Sequence, residues 1–170
     1  MRRTLTQREK MYTVLLVIAF TVITILMSIF FVGNQFSRIA NDDIMPVVTV
    51  MVAIVVVLMG ISISGAIVHI LVQLTKPKQD VSIGFTYYIF LIVNLVVSLF
   101  TFIVMVIVGA KQYLVYEEIF GYFTGLLSHI LMAYLFYRYD IFTKKNAIKL
   151  VVYLIILGVI STAISSLFGG

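Results

Sequence analysis

The sequence predicts an all-α integral membrane protein: a bundle of five transmembrane helices forming a single transmembrane domain over residues 1–170. Three observations carry this. The chain is 62% hydrophobic and only 11% charged, whereas ordinary soluble domains are about a quarter charged. Its apolar residues fall into five stretches separated by short polar connectors. The basic residues are confined almost entirely to alternate connectors.

Residues 11–32 follow the basic start MRRTLTQREK. That pairing suits a secretory signal, but the apolar run is too long, and VGNQFSRIAND after it offers no small-x-small cleavage site, so a retained signal anchor is expected. Residues 47–74 follow Pro46 and the acidic pair Asp42–Asp43, which fit a helix N-terminus and its positive dipole end. The third stretch, 81–109, takes Asp80 as its N-cap. The fourth, 119–137, is opened by Glu117 and Glu118 after a connector over 110–118, and the fifth, 147–168, takes Asn146 as its N-cap.

About 20 helical residues at 1.5 Å rise cross the roughly 30 Å hydrocarbon core, and each stretch is near or beyond that length. The second and third exceed it, which predicts tilt, projection beyond the membrane, or a kink near Gly60 or Gly65. Runs such as VVTVMVAIVVVLMG lack the apolar–polar alternation of a membrane β-barrel strand. Backbone groups in lipid must find internal partners, which leaves the helix.

Arg2, Arg3, Arg8, Lys10, Lys76, Lys78, Arg138, Lys144, Lys145 and Lys149 belong to one set of connectors, and only Arg38 and Lys111 to the other. This bias places the N-terminus in the cytoplasm and the C-terminus outside. Together with anionic lipid headgroups it accounts for the net charge of +5 without a nucleic-acid partner. Tyr113, Tyr116 and Tyr122 near one interface, and Tyr134, Tyr137 and Tyr139 near the other, fit an aromatic belt.

Small and polar residues recur at helical spacing: Thr21, Thr24 and Ser28; Ser62, Gly65, Ala66, His69 and Gln73; Gly84, Tyr87, Asn94, Ser98 and Thr101. The fourth stretch has Gly121, Thr124, Gly125, Ser128 and His129, and the fifth Gly158, Ser161, Thr162, Ser165 and Ser166. Such stripes predict a packed bundle. Gly65, Gly121, Gly125 and Gly158 would allow close helix approach, and hydroxyls would bond across helices. Ser62, Gln73, Asn94, Ser98 and Ser128 are the expected polar groups of the interior.

GAIVHIL (65–71) and GLLSHIL (125–131) carry the chain's two histidines, each one turn after a glycine and sixty positions apart. Extending the same offset sets IVGA (107–110) against LFGG (167–170), a weak sign that hairpins 2–3 and 4–5 are parallel duplicates. His69 and His129 are expected at similar depth, within about 5 Å along the helix axis. Two imidazoles beside glycines would suit a b-type haem, and they are too few for zinc. A polar neighbour such as Ser62, Asn94 or Ser128 would satisfy either ring within the bundle. A titrating imidazole would also serve as a gate or proton sensor.

No Asp or Glu falls inside a predicted span, which argues against a proton-coupled transporter or an aspartyl protease. Ser128 and His129 are sequence neighbours, about 100° apart on a helix, so they do not form a serine–histidine pair. Cysteine is absent, so there is neither disulfide nor thiolate chemistry. The preferred reading is a non-enzymatic accessory, regulatory or protective (immunity-like) subunit of a larger assembly in a bacterial plasma membrane. It would have no cofactor, and its partner would be another membrane protein or a second copy of itself. The basic loops TKPKQD and RYDIFTKKN would meet headgroups or that partner. The alternatives are a transporter or channel using the polar stripes, and electron transfer through haem b.

Overall fold

The structure, a computed structural model, describes residues 3–36 and 44–168, with side chains for all of these except 28–36, 44–50, 53, 110, 111, 164–166 and 168. Arg2, Arg38, Asp42 and Asp43, the side chains of Ser28, Pro46, Lys111, Ser165 and Ser166, and the tail after Phe168 lie outside the described residues.

Five helices follow one another: α1 Gln7–Phe36, α2 Ile44–Leu74, α3 Ile83–Val108, α4 Ala110–Arg138 and α5 Lys144–Phe168. Each is long and apolar enough to cross a membrane, and at most 17% of any membrane-length window is buried within the protein. Apolar surface on that scale needs a hydrocarbon solvent, so the chain is a multi-pass membrane protein. α3 lies against α1, α2 and α4, while α5 lies against α4 and α2. Helices α2 to α5 thus surround a shared interior, and α1 packs outside α2 and α3.

Local chemistry sets the helix ends. α1 opens four residues earlier than the apolar run, at a capping box. The Thr6 N–H donates to Glu9 Oε2 (2.7 Å), and the Glu9 N–H donates to Thr6 Oγ1 (3.3 Å). α2 runs unbroken through Gly60 and Gly65, and its 31 residues span about 46 Å. It stops where Lys76 turns left-handed (φ 56°) and Pro77 forbids a further turn.

Two of the expected caps are displaced. Ser82, not Asp80, caps α3, its Oγ accepting from the Phe85 N–H at 3.2 Å. Thr143, not Asn146, caps α5, its Oγ1 accepting from the Asn146 N–H at 3.2 Å. In both places a hydroxyl lay within three residues of the chosen residue, and the helix starts where that hydroxyl can reach its third N–H.

The larger correction concerns residues 110–118. They are helical, and α3 passes into α4 through Gly109 alone, at φ 86°, a conformation glycine adopts without strain. AKQYLVYEE contains neither Gly nor Pro, so nothing in it stops a helix. Glu117 and Glu118 therefore stand two turns inside α4 rather than at its start, and both are exposed.

The well-packed part of the protein lies at the end carrying Arg3, Lys76, Lys78 and Lys144. Val72, Val81, Phe85, Ile89, Phe136 and Leu150 are all fully buried there. Above them the polar segments knit together. The Arg3 N–H donates to Asp80 O (2.6 Å) and Arg3 O accepts from the Ser82 N–H (2.9 Å), an isolated parallel bridge. The Arg3 guanidinium lies 4.6 Å from the Phe85 ring centre and pairs with Glu9. The Lys78 N–H donates to Ile141 O (2.9 Å), Asn146 Nδ2 donates to Lys76 O (2.9 Å), and the Lys78 ammonium pairs with Asp140. The loops read as headgroup or partner contacts thus direct several of their polar groups at one another.

α4 ends in a Schellman turn. The Asp140 N–H donates to Tyr137 O and the Ile141 N–H to Phe136 O, both at 3.0 Å, with Asp140 left-handed at φ 57°. A β-branched residue is a steric outlier in that region. Asp140→Val should therefore cost about 1–2 kcal/mol, whereas Asp140→Gly, which loses only an exposed ion pair, should be neutral or stabilising. Thermal unfolding of both variants in detergent checks this, and equal losses would remove the conformational explanation.

Candidate binding cavity

Most hydroxyls of the predicted stripes satisfy themselves along their own helix. Thr21 donates to Val17 O, Ser62 to Leu58 O, Thr101 to Val97 O, Thr124 to Phe120 O and Thr162 to Gly158 O, all at 2.8–3.0 Å. Asn94 does the same through Nδ2, to Phe90 O at 2.7 Å. The expected network of hydroxyls across helices gives way to bonds four residues back, which need no partner helix in register. Within the apolar spans, some side chains do bridge elements. Gln73 Nε2 donates to Val81 O (2.9 Å), the Tyr87 hydroxyl donates to Ser62 O, and His69 Nδ1 lies 3.0 Å from Thr86 Oγ1.

The four glycines separate into two kinds. At Gly65 a Cβ would lie 2.7 Å from Tyr87 Cζ, so the ring of α3 sits directly on the α2 backbone. At Gly121, Gly125 and Gly158, apart from the local helix backbone and adjacent residues, no heavy atom of the described residues comes within 4 Å of the Cβ position. These three do not mark a close helix contact, as the sequence suggested. They form the floor of a groove between α4 and α5, about 560 Å³ in volume, with His129 in its lining. Its walls, Tyr122, Leu126, Ile155 and Val159, are exposed at the protein surface. The groove therefore opens sideways, toward lipid.

A second cavity of about 420 Å³ lies between α2, α3, α4 and α5. Ser64, Asn94, Ser128, His129 and Ser161 give it a polar lining without a charged side chain. His129 and Gly158 belong to both spaces, so the cavity and the lateral groove adjoin at these two residues. Toward the basic end the cavity is closed in layers. Val68, Phe90, Met132 and Leu154 border it; Val72, Phe136 and Leu150 lie one turn further along α2, α4 and α5, and Ile89 adjoins Phe90 on α3 in the same core. Ile141 and Phe142, also fully buried, pack into the same core from the α4–α5 turn.

The two histidines have different surroundings. His69 is tied to Thr86, which is fully buried and also donates to Ser82 O at 3.4 Å. His69 lines neither cavity, while His129 lines both. The Nδ1 atom of His129 is buried and has no hydrogen-bond partner among the described residues. Ser98 is half-buried on α3, one turn beyond Asn94 and outside both linings. Sequence reasoning missed Thr86 and Ser64, and it placed Tyr87 in the α3 stripe without the contact its ring makes at Gly65. Tyr87 was legible, since a tyrosine facing a glycine stripe can lay its ring where no Cβ intervenes.

A search of protein-family models, of curated proteins and of solved structures finds no match to this chain.

The glycines provide an internal control. Gly65→Ala must displace the Tyr87 ring and should cost about 1–3 kcal/mol, whereas Gly125→Ala meets open space and should gain up to about 1 kcal/mol of helix propensity. Unfolding of the two variants side by side decides it, and an equal or larger loss at Gly125 would refute the open groove.

Proposed function

We propose that the chain is a non-enzymatic protein of a bacterial plasma membrane that holds a membrane-borne molecule and serves as an accessory, regulatory or protective subunit beside another membrane protein. Its basic end faces the cytoplasm, as the distribution of Lys and Arg favours. The observation that carries this reading is a surface groove of α4 and α5 set beside a partly polar cavity between α2 and α5, with His129 and Gly158 lining both. Both volumes fall within the range of about 300–1,000 Å³ usual for ligand pockets.

Binding is favoured over conduction by the apolar layers of Val72, Ile89, Phe136 and Leu150, which lie between the cavity and the basic end. Packed fully closed, these layers leave no hydrated route to the basic end, and a hydrophobic constriction passes solute only when it opens and wets. Binding is favoured over catalysis because the lining places no carboxylate beside His129 to orient it as a base. The partner is assigned to the membrane, since α1 and the outer halves of α4 and α5 keep broad apolar faces.

Reconstituted into liposomes, the protein should give ion and small-solute fluxes no greater than protein-free vesicles. Lipid extracted from the detergent-purified protein should be enriched in one species, and Gly125→Leu should lose that enrichment. Native-membrane pull-down should recover a second membrane protein in constant ratio. A solute flux abolished by Asn94→Leu would overturn the reading in favour of transport.

A further inference from the structure

Resting on the binding reading above, we infer that the ligand is an uncharged, single-chain lipid alcohol, its hydroxyl bound between His129 and Asn94 and its chain lying in the α4–α5 groove. The absence of charge follows from the cavity, whose lining contains no Lys, Arg, Asp or Glu. A carboxylate or phosphate head buried there would lack a counter-ion, at a cost far above that of a neutral hydroxyl. An ammonium head would be equally unpaired.

A hydroxyl is favoured over other neutral heads by the bonds still open. His129 Nδ1 is buried without a partner, and as either tautomer it can donate to or accept from a hydroxyl. Asn94 uses an amide N–H on Phe90 O, which leaves its carbonyl oxygen as an acceptor. A head that both donates and accepts satisfies both residues. A ketone or ester head only accepts, and would leave the Asn94 oxygen unmet.

A single chain follows from the openings. The groove floored by Gly121, Gly125 and Gly158 shares both His129 and Gly158 with the cavity. On the other side of α5 a smaller apolar groove of about 290 Å³ shares only Leu157 with it. The cavity is also open at its α2–α5 side, where Ser64, Ile67 and Ser161 are exposed, but only the α4–α5 groove offers an apolar floor of bare backbone, and that floor suits one flexible chain. The exposed faces of Tyr122, Leu126, Ile155 and Val159 would lie along it.

The test uses the full chain in phosphatidylcholine nanodiscs and three photoreactive diazirine probes with one common chain: an alcohol, a carboxylic acid and a phosphate monoester. After irradiation, the alcohol should modify peptides containing Tyr122–Leu126 or Ile155–Val159. His129→Phe and Gly125→Leu should each lower that labelling about tenfold, the loss expected for one buried hydrogen bond or a blocked chain path. Leucine has room at Gly125, where nothing approaches the Cβ position, and Gly121→Leu at the mouth provides a second variant should the first misfold. Straight-chain and isoprenoid alcohols share the head chemistry, and the one that competes at lower concentration identifies the source. Competition by neither, or by a two-chain diglyceride instead, overturns the inference. If the acid or phosphate probe labels the same peptides as strongly as the alcohol, the head-group assignment falls and the cavity reading stands. If no probe labels them, both fall.

Discussion

Hydrocarbon cannot hydrogen-bond, and that constraint shapes the protein at every level. Each backbone N–H and C=O within the bilayer must be met inside the chain, which selects helices and lets α2 continue through Gly60 and Gly65 without a break. The same constraint acts on side chains. Thr21, Ser62, Thr101 and Thr124 take the carbonyl one turn back, a partner always within reach. Hydroxyls so used add little to helix association, and polar stripes therefore do not by themselves close the bundle.

Closure comes from the end where water is available. There Arg3, Lys78, Gln73 and Asn146 join the N-terminal segment and two connectors through backbone and side-chain bonds. Beneath them Phe85, Phe136 and Phe142 fill the space between helices. The α3–α4 joint is of another kind: Gly109 alone turns the chain, and the two residues before it, Ile107 and Val108, are exposed. The molecule is tight where loops of both hairpins meet and looser where a single residue joins two helices. That gradient leaves room for a cavity in its middle.

The fold was legible because it rests on quantities a sequence states directly: the length of apolar runs and the placement of charge. All five helices overlap the stretches expected for them. Boundaries were less legible where the chain had two adequate choices, as between Asp80 and Ser82 or between Asn146 and Thr143. The connector at 110–118 was misread because polarity was taken for a loop, although a polar helix that projects from the membrane has the same composition. The site was legible only in part. His129, Asn94 and Ser128 were singled out and do line one cavity. Gly121, Gly125 and Gly158 were singled out for the wrong reason, because a glycine stripe equally marks a helix contact and a groove. Only the neighbouring helix distinguishes them, and for Gly65 that neighbour is Tyr87.

The sixty-residue offset that aligns GAIVHIL with GLLSHIL also shows how position overrides local sequence. His69 faces α3, where Thr86 holds it, and the Tyr87 ring covers the preceding glycine. His129 follows a glycine that nothing covers. The difference lies in the partner helix. α5 touches α4 and α2 but not α3 among the described residues, and it is buried only near its start, at Leu150 and Leu154. Asn146 ties that start to the α2–α3 connector. Beyond Leu154, residues 155–163 are exposed along their whole length. A helix fixed at its start and exposed over 155–163 leaves a wedge that widens away from the fixed end, and His129 stands at its apex. The same local motif thus yields a structural histidine where the neighbouring helix is packed and a cavity-facing one where it is not.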